Sequence, residues 1–149
     1  MKKLLYLLAA TAILFTACKD DDSDHDHEHG EDTEYDYHAH IMSPSDADTK
    51  ALGDTLHIHV DFESHAGEPV HNVNVRIYNK ADNTEVYSAP IGEEQHVHAM
   101  SGMHTFEADV ILSEADGFAA ATDYVLEAKV WPHEGEEGEV MSSLEFSIQ

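Results

Sequence analysis

Histidine is the residue type in this sequence whose number and spacing could do chemistry. There are 13 in 149 residues, and most come in the pattern His-x-His: His38 and His40, His57 and His59, His96 and His98, and His25, His27 and His29. Imidazole is the commonest metal ligand and the side chain that titrates near neutrality. On an extended chain, residues two apart share a face and stand about 6.5–7 Å apart. Two imidazoles so placed can reach one ion between them. The candidate ligands are therefore His38, His40, His57, His59, His96, His98 and His104. Around them stand His65, His71, His133, Met100, Met103, Glu107 and Asp109 as a secondary set.

The balance of charge agrees with a surface that gathers cations. Seven Lys and Arg against 31 Asp and Glu give a formal charge of −24. This excludes nucleic acid, whose binding rests on Lys and Arg against phosphate, and electrostatic docking on anionic lipid. Imidazole with carboxylate suits Zn2+ or Cu2+, and the thioethers of Met100 and Met103 would add Cu+. The ion's identity stays open between zinc and copper.

The elements that must position these side chains read as strands. Leu56, Ile58, Val60 and Phe62 alternate with His57, His59 and Asp61, the pattern of a strand with one buried face. The same alternation places strands at Tyr37–Ile41, Val73–Ile77, Glu85–Ser88, Phe106–Leu112, Tyr124–Val130 and Leu144–Ile148. Turn and breaker residues separate them, as in Ser43-Pro44-Ser45-Asp46 and Asn79-Lys80-Ala81-Asp82-Asn83. Residues 95–104 read as an irregular connection. About seven short strands without a helix imply an all-β, immunoglobulin-like antiparallel β-sandwich over residues 35–149. Asp123-Tyr124, opening the sixth strand, resembles the tyrosine corner of such domains.

In that fold the first, second and fifth strands adjoin. His38 and His40 would then stand beside His57 and His59 on one outer face, with Glu107 and Asp109 on the other side. The loops after the second, fourth and sixth strands would bring His65, His71, His96, His98, His104 and His133 to one end. Whether the face and the end form one site or two stays open.

The first 34 residues read differently. Lys2 and Lys3, an apolar run from Leu4 to Ala17, and then Cys18 make a secretory signal peptide over 1–17. Phe15-Thr16-Ala17-Cys18 resembles a bacterial lipobox, with Phe where Leu is usual, and implies lipid on Cys18. Residues 18–34 read as an acidic, His-rich tether too polar to order itself. Cys18-Lys19-Asp20-Asp21-Asp22 resembles the start of surface-exposed lipoproteins of Gram-negative bacteria. That resemblance implies an outer-membrane lipoprotein on the cell surface, with the periplasmic face as the alternative.

Residues 35–149 as a whole resemble the immunoglobulin-like domains of short bacterial surface lipoproteins of unassigned function. Tyr37-His38-Ala39-His40-Ile41-Met42 with Ser43-Pro44 also resembles, over this short stretch, the opening of the copper-resistance CopC family. No nucleophile elbow, phosphate loop or HExxH motif occurs, and Asp46-Ala47-Asp48 lacks the rest of a calcium loop. The expectation is a binding protein, not an enzyme: a metal-capturing lipoprotein attached to the membrane only by its lipid, with an outer-membrane transporter or receptor as partner. The alternative is an adhesion or accessory module for a protein or glycan, recognised through Trp131 and Tyr87, whose histidines are solvated or respond to pH.

Overall fold

The computed structural model describes residues 36–65, 69–99, 102–133 and 138–149, apart from the side chain of His98. The expected signal peptide (1–17), the lipid-bearing Cys18, the tether with His25, His27 and His29, and Met100 lie outside the described residues.

Alternation dictates the strands. Among the described residues there are nine: β1 (Tyr37–Ser43), β2 (Asp48–Lys50), β3 (Thr55–Ser64), β4 (Val70–Asn79), β5 (Glu85–Ala89), β6 (His96–Ala99), β7 (Met103–Ile111), β8 (Thr122–Trp131) and β9 (Val140–Ile148). On β3, Leu56, Ile58, Val60 and Phe62 are at most 2% exposed, while His57, His59, Asp61 and Glu63 face outward. Burying each such apolar side chain stabilises the fold by about 1.5–3 kcal/mol before conformational entropy is counted.

The strands form two sheets, one ordered β1-β3-β7 and the other β2-β9-β8-β4-β5, with β6 also pairing with β4. Their facing sides enclose one core, which includes Val73, Val75, Ile77, Leu126, Ala128, Phe146 and Ile148. This is the expected immunoglobulin-like sandwich, and the first, second and fifth expected strands are neighbours as anticipated. Tyr124 is fully buried between the rings of Phe118 and Phe146 at 5.3 and 5.6 Å. Its hydroxyl accepts the Ala119 N–H at 2.8 Å, which is the tyrosine corner.

Two strands were not expected. Residues 96–99 form β6 rather than irregular chain, because Val97 and Ala99 alternate and pack against the core while the backbone pairs with β4 at Val70 and Asn72. The chain also leaves the first sheet after Ser43 and joins the second as β2, lying parallel to the end of β9. Ala47 N–H donating to the Glu145 carbonyl at 2.8 Å and Gln149 N–H donating to that of Lys50 at 2.9 Å extend this junction.

Candidate metal centre

The outer face of the first sheet is a grid whose rows follow from register. His38 stands opposite Glu63, and His40 opposite Asp61. Across the other side of β3, His59 stands opposite Glu107 and His57 opposite Asp109. Each of these imidazoles therefore has a carboxylate as a cross-strand neighbour. His57 Nδ1 lies 2.5 Å from Asp109 Oδ1, while His59 lies 3.4 Å from Asp61 and 3.8 Å from Glu107. The inward pairs Ala39–Phe62 and Ile41–Val60 hold this register, and a bulge between Ile41 and Ser43 carries β1 past His59. His38 and His40 thus sit toward the end of β3 that carries His65, and His57 lies at the opposite end of the grid.

His38 is the middle of a separate group. Its ring is stacked on His40 at 5.9 Å and meets the edge of His65 at 5.0 Å. Asp36 and Glu63 hold His38 Nε2 and His65 Nε2 at 2.9 and 3.2 Å.

The starts of β1, β4, β7 and β9 and the exits of β3, β6 and β8 share one end of the sandwich, as their registers require. Three further imidazoles meet there. His71 enters on β4, His96 opens β6, and His133 follows β8. Their ring centroids form a triangle of 5.6, 5.4 and 4.9 Å. Asn72 builds the triangle, since it stands opposite His96 on one side and Trp131 on the other, beside a break in the β4–β6 ladder. Its Nδ2 donates to the Pro132 carbonyl at 2.7 Å, which fixes the chain entering His133. The Asn72 carbonyl oxygen can then only accept, so His96 Nδ1, 3.3 Å away, is the donor. A neutral His96 ring thereby carries its lone pair on Nε2.

His71 contributes a different signal. Its Nδ1 is buried and has no hydrogen-bond partner among the described residues. Leaving a buried polar atom unmatched costs about 1–3 kcal/mol. Among the described residues no group of three His, Cys, Asp or Glu stands in an arrangement that could hold a metal ion as it is. The three rings lie against one another at interplanar angles of 20°, 23° and 43°. Converging their nitrogens needs rotation about the Cβ–ring bond, a torsion with broad, shallow preferences.

The remaining candidates lie apart. His104 faces inward over Phe62 at 6.4 Å, and burial holds its pKa below the usual 6.5. Met103 is half exposed on the outer face, opposite Glu63. His98 lies on β6. Of the aromatic residues, Trp131 has the Lys129 ammonium over its ring at 5.2 Å, and Tyr87 packs against the core, where burial raises its phenol pKa. Sequence reasoning missed Asn72, Asp36 and Glu63 as positioning groups; it brought His71, His96 and His133 to one end but did not single them out from His65, His98 and His104 as one triangle. The strand pattern marks Asn72 only as an outward residue of β4, and nothing local in the sequence reveals its double hydrogen bond.

No protein-family model matches the chain, and no curated protein matches it. Among solved structures it is similar to the CARDB domain of a protein from Pyrococcus furiosus, crystallised in complex with di-metal ions. The identity is 13% over 78% of this chain and 94% of that one, with a TM-score of 0.48. It is also similar to part of a β-glucosidase from Listeria innocua in complex with glucose. There the identity is 9%, the coverage 76% of this chain and 16% of that one, and the TM-score 0.39. Both likenesses are too distant to bear on chemistry, and the sandwich rests on its own strand order and registers.

Proposed function

We propose that this protein binds a metal ion, zinc or copper, through His71, His96 and His133 at the end of its sandwich. The observation that carries the reading is the size of the imidazole triangle. A ligated nitrogen lies about 2.0–2.1 Å from zinc, which puts each ring centre about 3.2 Å from the ion. At tetrahedral angles the ring centres of two ligands are then about 5.2 Å apart. The three separations here, 4.9, 5.4 and 5.6 Å, bracket that figure. The unmatched Nδ1 of His71 supports the same reading, because an ion or its water would satisfy it.

Three neutral imidazoles leave at least one coordination position for water or for a ligand from outside. That suits capture and hand-over rather than permanent structural binding. Borderline cations such as Zn2+ and Cu2+ fit an all-nitrogen set, whereas Ca2+ and Mg2+ demand oxygen. We further propose that Cys18 carries lipid, that the domain is held at the outer membrane facing the cell exterior, and that it passes its ion to a transporter or receptor for uptake, buffering or resistance. The sequence motifs at residues 1–24 support that part of the reading.

The test is isothermal titration of the full chain, made without an affinity tag, with Zn2+ and Cu2+, beside the double variant H71A/H133A. One tight equivalent is expected in the wild type and its loss in the variant. Binding no tighter than millimolar, or equal binding by both proteins, would overturn the proposal.

A further inference from the structure

We infer that the corner between β1 and β3 holds a second metal site, formed by His38, His40 and His65, for a borderline divalent cation of the zinc and Cu2+ class. It uses none of the residues of the first site and does not depend on it.

Three observations meet at this corner. His38 lies 5.0 Å from His65 and 5.9 Å from His40, on either side of the about 5.2 Å expected of imidazoles sharing one ion. Each flanking nitrogen already has a carboxylate. Asp36 Oδ1 accepts from His38 Nε2 at 2.9 Å, and Glu63 Oε2 lies 3.2 Å from His65 Nε2 as its ion-pair partner. A carboxylate can only accept, so in a neutral His38 ring Nε2 carries the hydrogen and Nδ1 carries the lone pair, and Glu63 beside His65 Nε2 favours the same tautomer there. A ring N–H given to a carboxylate is the usual second contact of a metal-bound histidine, fixing its tautomer and raising its basicity.

The backbone beneath is fixed. Tyr37 stands opposite Ser64, and the His65 N–H donates to the Asp36 carbonyl at 3.0 Å. Only side-chain torsions remain to be set when an ion arrives. The ligands are open to solvent, with the His38 and His65 side chains 43% and 56% exposed. Ions should therefore enter and leave this corner more readily than the end site. Asp36 and Glu63, beside the outer nitrogens of His38 and His65, add a negative charge that the end triangle lacks. The nitrogen-rich donor set disfavours Ca2+ and Mg2+, which call for oxygen ligands.

The test reads individual imidazoles. The 15N-labelled full chain is titrated with Zn2+ while long-range proton–nitrogen spectra follow each ring. His71, His96 and His133 should shift in a first phase, and His38 and His65 in a second at higher zinc. The H71A/H133A variant should keep the second phase and lose the first. The H38A/H65A variant should do the reverse. Glu63→Gln keeps the shape, removes the charge, and should weaken the second phase about tenfold while leaving the first unchanged. If the His38 and His65 rings do not move at tenfold excess zinc, or move only in step with the first set in every variant, the second site does not exist. Failure of the first phase alone would instead count against the end site.

Discussion

Replacing His71 with phenylalanine should make the protein more stable without metal and less stable with it. His71 Nδ1 is buried and unmatched among the described residues, a burden of about 1–3 kcal/mol. Phenylalanine removes that polar atom and keeps a ring to stack on His96 and His133, now 5.6 and 5.4 Å away. Its larger ring gives back part of the gain by crowding. The net change in chelator should be about +1 kcal/mol, or about 4 °C in Tm for a domain of this size. Zinc at a hundred times its Kd should add about 2.7 kcal/mol to the wild type. The variant, with one ligand of three gone, should gain little of that. The order of stability therefore inverts, with the wild type ahead by about 1.7 kcal/mol in zinc. Urea unfolding followed by the fluorescence of Trp131, the single tryptophan of the chain, measures both arms. A variant less stable than the wild type in chelator would refute the account of Nδ1. An unchanged order in zinc would refute the metal site.

Asn72→Ala should lower zinc affinity about 10- to 100-fold, as loss of an outer orienting group does, with titration calorimetry as the measure. Tyr124→Phe leaves the Ala119 N–H without its acceptor and should cost about 1–2 kcal/mol, read as a lower urea midpoint at constant m. The pKa of His104 is depressed in the fold, so the unfolded chain takes up its proton first on acidification. Its contribution is present above pH 6.5, the ordinary value, and is lost as pH falls through the lower folded value. His104→Gln should flatten the pH dependence of the urea midpoint across that window.

Alternation was enough to find β1, β3, β4, β7 and β8 and to order them, because their buried residues recur at every second position. It could not find β2, whose three residues show no period and pair only because β9 offers an open edge. It also could not choose the register of β1 on β3. A slip of one residue would turn Ala39 and Ile41 outward, but a slip of two or of four leaves every side chain on its own face. His38 opposite Glu63 and His38 opposite His59 are therefore equally compatible with the pattern. Local turns and the bulge after Ile41 make the choice. The gathering of histidines at one end followed from strand order and could be anticipated. The triangle within it depends on Asn72 bonding across two neighbouring chains, a tertiary fact with no periodic trace.

The parallel junction of β2 with β9 has a mechanical consequence. Parallel strands run the same way, so the entry to β2 and the exit from β9 lie at opposite ends of the pair. A pull between Asp36 and Gln149 thus acts along the strands, and the hydrogen bonds of the junction share the load in shear. Terminal strands joined at adjacent ends would instead open one bond at a time. Forced unfolding is governed by the barrier to rupture, not by equilibrium stability. Resistance to a pull between these points is therefore shared by the β1–β3 ladder, which Asp36 loads first, and the short β2–β9 junction, apart from how firmly the core is packed.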